Sequence, residues 1–125
     1  MTISEVSKRC NISPETLRYY EKAGLITGVN RTTGGIRDYT EQDCAQIEFV
    51  KCMRRAGLSI DVLKKYFELF KRGKRTLKAR RDLLANERKI LQERLVELQS
   101  TLQRLDYKIT VYDQAIASKD KELKF

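Results

Sequence analysis

The stretch SPETLRYYEKAG at residues 13–24 decides the first part of the fold. Ser13 can accept a hydrogen bond from a free backbone N–H at a helix start, and Pro14 suits the first helical position because it has no N–H to lose. Gly24 ends this helix. A shorter helix precedes it, because Thr2 and Glu5 have the spacing of a capping box. Two short helices joined by a tight turn predict a helix-turn-helix, whose second helix enters the major groove of DNA.

The residues that follow predict a small hairpin and two further helices. Residues 25–40 alternate apolar and polar side chains and contain three glycines, which is typical of a short β-hairpin, or wing. Thr40 and Asp43 form a second capping box and start a third helix, which a glycine ends. Ser59 caps a fourth helix, which we expect to run to about Lys71.

Apolar residues at heptad spacing dominate the C-terminal part of the chain. From residue 76 onward they occupy two alternating positions of a coiled-coil seam, although Arg81 and Arg88 interrupt it near its start. A helix of about 42 residues is about 60 Å long, too long to fold back on so small a domain, so its stripe predicts burial against another chain. Heptads alone leave the parallel or antiparallel sense open. The predicted dimerisation residues are Leu84, Leu91, Leu95, Leu98, Leu102, Leu105, Ile109, Tyr112 and Ile116.

The charge of the chain favours a polyanionic partner. Lys and Arg number 26 against 17 Asp and Glu, a formal net charge of +9, as expected of a nucleic-acid binder, although ordinary soluble and membrane-surface proteins can also be basic. The sequence has no membrane-spanning apolar run and no secretion signal, and its three cysteines have no paired spacing, so we expect a cytoplasmic protein. It has no histidine and no nucleophile or phosphate-loop motif, so we expect no enzyme.

Four motifs follow one another in a fixed order: TLRYYE at residues 16–21, GLI at 24–26, Arg37 with Tyr39, and GLS at 57–59. In order and spacing they resemble the MerR family of bacterial transcription regulators, and the resemblance extends over the whole chain. It implies a mainly α-helical fold with three parts. These are a winged helix-turn-helix head with a second helical pair at residues 1–72, a long antiparallel coiled-coil dimerisation helix at 73–117, and a charged, frayed tail at 118–125.

The resemblance also implies partners and a mode of action. Members of this family bind, as homodimers, a palindromic promoter with an overlong spacer, and distort it so that RNA polymerase can engage both promoter elements. Such a mechanism takes much of its selectivity from the deformability of the operator.

The DNA-contacting side chains implied by the resemblance lie on three elements. A guanidinium can pair with guanine or phosphate, and a hydroxyl can donate to a phosphate oxygen. Leu17 and Tyr20 are expected in the core from helical periodicity, and Tyr39 has the alternative of packing inside the wing. The wing departs from the family pattern, because Ile36 replaces an aromatic residue and no proline follows Ile26. The predicted contacts are Thr16, Arg18 and Tyr19 on the second helix, Arg37 and Tyr39 at the end of the wing, and Arg54 on the third helix.

Cys52 is the candidate sensor of a regulatory signal. Its position resembles that of the single cysteine in the thiol-based, aldehyde- and stress-responsive branch of the family, the AdhR and NmlR type. Neighbouring Lys51, Arg54 and Arg55 favour the thiolate, which attacks electrophiles, whereas the dipole at the helix C-terminus opposes it. The alternative is that Cys52 is a small packed side chain, as we expect for Cys10 and Cys44.

No metal and no cofactor are expected. Metal-sensing members of the family carry cysteines at the far end of the coil, but no cysteine follows Cys52 here. Because almost nothing follows the coil, we also expect no fused drug-binding domain. Two rival interpretations remain: a MerR-type regulator without thiol sensing and with an unknown effector, and a coiled-coil interaction protein that does not bind DNA. The second leaves the basic head without a role.

Overall fold

A computed structural model of the chain describes residues 1–118. Its elements are α1 (Ile3–Cys10), α2 (Pro14–Lys22), β1 (Asn30–Arg31), β2 (Arg37–Asp38), α3 (Glu41–Arg55), α4 (Ile60–Lys71), a 3-10 turn (Lys74–Thr76) and α5 (Leu77–Ser118). The predicted fold class, a winged helix-turn-helix followed by a long C-terminal helix, is confirmed. Apart from Ser118, the predicted tail at residues 118–125 lies outside the described residues.

Hydrogen bonds at the helix starts explain where the helices begin. The Thr2 hydroxyl accepts from the backbone N–H of Glu5, and the Glu5 carboxylate accepts from the backbone N–H of Thr2. Thr40 and Asp43 repeat this arrangement at the start of α3. The Ser13 hydroxyl caps α2. The Ser59 hydroxyl caps α4 in the same way. Each cap satisfies backbone N–H groups that a helix leaves without partners, so all four predicted starts are confirmed.

The wing is a two-stranded antiparallel hairpin. Asn30 is opposite Asp38 and Arg31 is opposite Arg37. At the tip, the backbone N–H of Gly35 donates to the carbonyl of Thr32 at 2.9 Å, and Gly35 has a φ of +80°, a left-handed conformation that glycine adopts without steric cost. The strands are short, so the wing is held mainly by its contacts with the helices.

The core of the head is formed by side chains of the four helices α1, α2, α3 and α4 and of the segment that follows α2. Leu17 and Tyr20 point inward from α2, as the helical period predicts. Phe49 of α3 packs edge-on against Phe67 of α4, with ring centroids 6.3 Å apart. The fully buried side chains of this cluster are Val6, Cys10, Leu17, Leu25, Ile26, Ile47, Val50 and Leu63.

The chain divides into two compact units, residues 1–85 and the residues from 86 onward. The first contains the head together with the start of α5, and the described part of the second is the remainder of that helix. The functional division after residue 72 stays a prediction. Within residues 1–118, no helix is both long and apolar enough to cross a membrane.

Candidate nucleic-acid interface and thiol site

The outer face of α2 presents a polar and aromatic surface. Since Leu17 and Tyr20 hold the opposite side of the helix in the core, Arg18 and Tyr19 point to solvent, and the Tyr19 side chain is 51% exposed. Lys22 lies on the same face, one turn after Arg18, and is also exposed. Sequence reasoning did not single out Lys22, although its spacing from Arg18 is the signal that finds it.

Thr16 occupies a different position from its neighbours on α2. Its side chain is half-buried, and its hydroxyl lies 2.8 Å from the hydroxyl of Ser13. This hydroxyl pair belongs to the cap of α2. Thr16 therefore helps to fix the helix start that carries Arg18 and Tyr19, and a contact with DNA would compete with that cap.

Glu21 connects the wing to α2. Arg37 Nε donates to Glu21 Oε2 at 2.5 Å, and Arg31 Nη2 lies 3.5 Å from Glu21 Oε1. The hydrogen bond to the Glu21 carboxylate raises the pKa of Arg37 above its ordinary value. Charge-assisted hydrogen bonds of this kind are stronger than neutral ones, particularly where the pair is partly shielded from water. The structure thus places Arg37 beside the α2 surface and shows a positioning residue, Glu21, that the sequence analysis missed.

Tyr39 requires a correction. The sequence analysis assigned it to the DNA-contacting set, with packing inside the wing as the alternative, but its side chain is only 2% exposed and belongs to the core of the head. Its hydroxyl is buried and has no hydrogen-bond partner among residues 1–118, and burial raises its pKa. The Tyr39 backbone N–H donates to the carbonyl of Met1, which holds the end of the wing against the N-terminal segment. A side chain in this position packs under the surface and does not reach a phosphate.

Arg54 lies at the last turn of α3 and is exposed. Its Nη1 donates to the carbonyl of Leu58 at 2.7 Å, which ties the end of α3 to the turn before α4. The chain reverses at Gly57, whose φ of +99° favours glycine. Arg54 therefore stabilises this turn, and the hydrogen bond to Leu58 also fixes the orientation of its guanidinium group.

The three cysteines differ in exposure. Cys52 of α3 is exposed, whereas Cys10 and Cys44 are buried, as predicted for structural side chains. Burial raises the pKa of Cys10 to about 11. Lys51, adjacent to Cys52, directs its Nζ toward the carbonyl of Cys10 at 2.6 Å. Only one of the three thiols is thus placed to meet a reagent from solvent.

The predicted seam of α5 is accessible in the second unit. Its apolar side chains lie on one stripe of the helix, and each exposes more than a third of its surface in a single chain. Leu84, in the first unit, is half-buried. The exposed seam residues and their exposed fractions are Leu91 37%, Leu95 46%, Leu98 57%, Leu102 58%, Leu105 53%, Ile109 57%, Tyr112 48% and Ile116 74%.

Two family models match the chain. Residues 1–69 match the family described as "MerR HTH family regulatory protein", and residues 44–107 match "MerR, DNA binding". The HTH-type transcriptional regulator AdhR of Bacillus subtilis (strain 168) is 52% identical over 97 residues, an alignment that covers 78% of this chain and 66% of that protein. This chain therefore spans just under two thirds of that relative's length.

Solved structures of similar proteins have the same fold. A MerR family transcriptional regulator from Listeria monocytogenes superimposes with a TM-score of 0.92 at 40% identity, covering 97% of this chain and 92% of that one. HiNmlR, described as a MerR family regulator lacking the sensor domain and solved bound to promoter DNA, gives a TM-score of 0.85 at 31% identity, covering 93% and 92%. The likeness extends through the head and into the long helix.

Proposed function

Because this chain belongs to the MerR family, it is a DNA-binding transcriptional regulator and not an enzyme, and we propose that it acts as a homodimer on a palindromic promoter. The observation that carries this proposal is the exposed face of α2, where Arg18 and Tyr19 project from a helix whose other side is fixed in the core. A recognition helix needs this division between packed and exposed faces. The net charge of +9 supports attraction to DNA.

The wing and the turn after α3 flank this face in the proposed interface. Glu21 holds Arg37 and Arg31 beside α2, so that their charge lies close to the helix that enters the groove. The carbonyl of Leu58 holds Arg54 at the C-terminal end of α3. Contacts of this type position the protein on phosphates and carry no base sequence, so we assign most of the selectivity to Arg18 and to deformation of the operator.

A second copy of the chain is the proposed partner of the α5 seam. Leucines at heptad spacing that expose about half of their surface would become buried in a two-stranded coil. A dimer places two recognition helices on two half-sites, and this symmetry is the reason that we expect a palindromic operator. Activation then follows by distortion of an overlong promoter spacer, which brings both promoter elements within reach of RNA polymerase.

Cys52 is the proposed sensor of aldehydes and related electrophiles. The thiol adds to an aldehyde carbonyl to give a hemithioacetal, in which sulfur bonds to carbon, the carbonyl oxygen takes a proton and no group leaves. The reaction needs an accessible sulfur, and Cys52 is the exposed thiol of the chain. The adduct enlarges a side chain on α3, two residues from Arg54, and so changes the surface beside the proposed interface.

One experiment tests both proposals. Purified protein, RNA polymerase and promoter DNA are combined in a transcription assay, with wild type and Cys52→Ser compared with and without methylglyoxal or formaldehyde. Since Cys52 is exposed, the substitution leaves the core intact. We expect activation by aldehyde in wild type and no activation in the variant. If both proteins respond equally, thiol sensing at Cys52 is refuted and promoter binding is not.

A second candidate is a regulator of the same promoter type without thiol sensing. The hydrogen bonds of Lys51 to Cys10 and of Arg54 to Leu58 favour it, because these cations are directed at backbone carbonyls. A sensor thiol requires nearby positive charge that stabilises the thiolate. If the protein does not sense through a thiol, footprints of the operator should be identical with and without aldehyde, and the effector should bind at a site other than Cys52.

A further inference from the structure

Two arginines occupy the seam of α5, where a coiled coil is otherwise apolar. Arg81 and Arg88 precede Leu95 at intervals of seven residues, so the three lie on one line of the helix. Both arginine side chains are exposed in a single chain. Arg81 lies 3.2 Å from Asp82, a pair that is itself exposed and therefore weak. A dimer that covers this seam needs a counter-charge for each arginine, because an unpaired charge is costly to remove from water.

The two arginines disfavour a parallel pairing of the helices. In a parallel coil in register, a seam residue faces its own copy, so Arg81 and Arg88 would each face a second arginine. Like charges at such a short distance repel each other. In an antiparallel coil the two lines of the seam face each other, and the second line, at residues 77–112, holds only leucines and Tyr112. The charges of the seam therefore favour the antiparallel sense.

One antiparallel register gives every seam residue between 77 and 116 an opposite residue. Its central layer joins Leu95 to Leu98 of the partner subunit, and the other layers follow from this one at heptad spacing. The two ends of the seam then meet each other, because Leu77, 58% exposed, faces the partner's Ile116, 74% exposed. The apolar residues that a single chain exposes most are therefore covered in this register.

The same register places each arginine next to an aspartate. Arg88 faces Leu105 of the partner subunit, and the residue after that leucine is Asp106. Arg81 lies in the same way beside the partner's Asp113. Both aspartates are exposed in a single chain, and an arginine can bury its aliphatic part in the seam while its guanidinium reaches a carboxylate at the edge. Such a pair makes charge-assisted hydrogen bonds.

The residues that flank the seam disfavour a shift of this register. Moving the helices by one heptad in one direction places Arg94 across from the partner's Lys108, and the opposite shift places Arg94 across from its own copy. Both shifts bring like charges together at the edge of the coil, where charges commonly decide the pairing. Without a shift, Lys108 lies across from the partner's Glu87, a residue of opposite charge. The seam and its flanks thus select the same register.

We propose that two copies of the chain pair antiparallel through α5 in this register, fixed by ion pairs of Arg88 with the partner's Asp106 and of Arg81 with the partner's Asp113. The inference rests on the proposed dimer and adds its register and its charged contacts. Two-fold symmetry makes each pair occur twice, on both sides of the apolar centre. A slip by one heptad would move the copies about 10 Å along each other, so the register also sets the separation of the half-sites that a dimer can read.

An exchange of charges tests the pairing, with the dissociation constant of the full chain measured by sedimentation equilibrium. Arg88→Asp should weaken the dimer by about tenfold, because it sets two carboxylates side by side twice per dimer. Adding Asp106→Arg should recover most of this loss, since the two charges are then exchanged. The matched control adds Asp113→Arg to Arg88→Asp, which changes the net charge equally and should recover nothing.

Each alternative gives a different result. Recovery by Asp113→Arg would mean that the coil is shifted by one heptad, because Arg88 would then lie beside the partner's Asp113. Recovery by neither variant would remove the pair of Arg88 with Asp106. Either result overturns the proposed register while leaving the dimer intact. A wild-type chain that stays monomeric at every concentration would instead refute the dimer itself.

A distance measurement tests the register without altering the seam or its charges. Tyr107 is 71% exposed and lies outside the seam, so Tyr107→Cys in a Cys52→Ser chain provides a site for a spin label, while Cys10 and Cys44 are buried. In the proposed register Tyr107 is level with the partner's Asn86, which separates the two labels by about 31 Å along the coil. A shift by one heptad changes this separation by about 10 Å, and a parallel pairing removes it. Pulsed electron paramagnetic resonance that gives the distance of a shifted or parallel coil would overturn the proposal.

Discussion

The dimer seam of α5 gives a prediction whose size follows from exposure. Leu98 is 57% exposed in a single chain. Full burial of a leucine side chain contributes about 1.5–3 kcal/mol, so roughly half of this, about 1 kcal/mol, is gained by each copy only on dimerisation. A two-fold symmetric dimer contains the residue twice. Leu98→Ala should therefore weaken the dimer by about 2 kcal/mol, which is about 30-fold in the dissociation constant.

Val96 provides a matched control. It is 56% exposed, nearly the same as Leu98, and lies on the same helix two residues away, but outside the heptad seam. An exposed substitution away from an interface changes the free energy by under about 0.5 kcal/mol. Val96→Ala should accordingly leave the dissociation constant within about fivefold, counting both copies.

Sedimentation equilibrium over a range of protein concentrations measures these constants. Leu105 is 53% exposed and lies two turns, about 10 Å, along the helix from Leu98, so the two positions should contribute independently. Combining Leu98→Ala with Leu105→Ala should weaken the dimer by about 4 kcal/mol, or about 1,000-fold. Equal effects of the Leu98 and Val96 substitutions would refute the assignment of the seam. An unchanged dimer in the double variant would show that the two chains meet through another surface.

Three further predictions concern the head. Arg18→Ala should weaken operator binding by about 1–3 kcal/mol without lowering the melting temperature, which fluorescence anisotropy and thermal melts will measure. Tyr39→Phe removes a buried hydroxyl that has no hydrogen-bond partner among residues 1–118, so stability in urea should stay equal or rise by up to about 1 kcal/mol, with operator affinity unchanged. A large loss of operator affinity would return Tyr39 to the DNA-contacting set. Burial raises the pKa of Cys10 from its ordinary value of 9.0 to about 11 in the folded head. The protonated Cys10 thiol therefore contributes its full stabilisation below pH 9, and this contribution is lost as the pH rises to 11. This loss should amount to about 3 kcal/mol and be absent in Cys10→Ala, as measured by urea unfolding at each pH.

Local signals in the sequence were sufficient to predict most of the helix boundaries. Capping acts within four residues, so Thr2 with Glu5 and Thr40 with Asp43 could be identified without knowledge of the fold. The burial of Leu17 also follows from a local rule, because the helical period separates it from its exposed neighbours. These features depend on a few consecutive residues and are already present in the sequence.

Contacts between distant segments could not be predicted in the same way. Alternating side chains indicate a hairpin, but not that its arginines meet Glu21, since this depends on how the wing lies against α2. Tyr39 was misplaced for the same reason: its backbone bonds to Met1, and the chain around it closes over the ring. That Cys10 and Cys44 line the same depression likewise requires the packing of α1 on α3. Predicting such pairs requires the tertiary fold as well as the pattern.

The three cysteines differ in solvent exposure, whereas the sequence could distinguish them only by their neighbouring residues. Cys52 reacts from the native state, whereas a reagent reaches Cys10 or Cys44 only after the head opens, so the rates of labelling differ by the equilibrium constant of opening. A maleimide applied briefly to the native protein should therefore modify one thiol per chain, at Cys52, and all three in denaturant, as peptide mass spectrometry can determine. Rapid native labelling of Cys10 or Cys44 would mean that the head opens easily, and an aldehyde response could then arise at either of them. Selective labelling leaves Cys52 as the thiol that a brief electrophilic signal can reach.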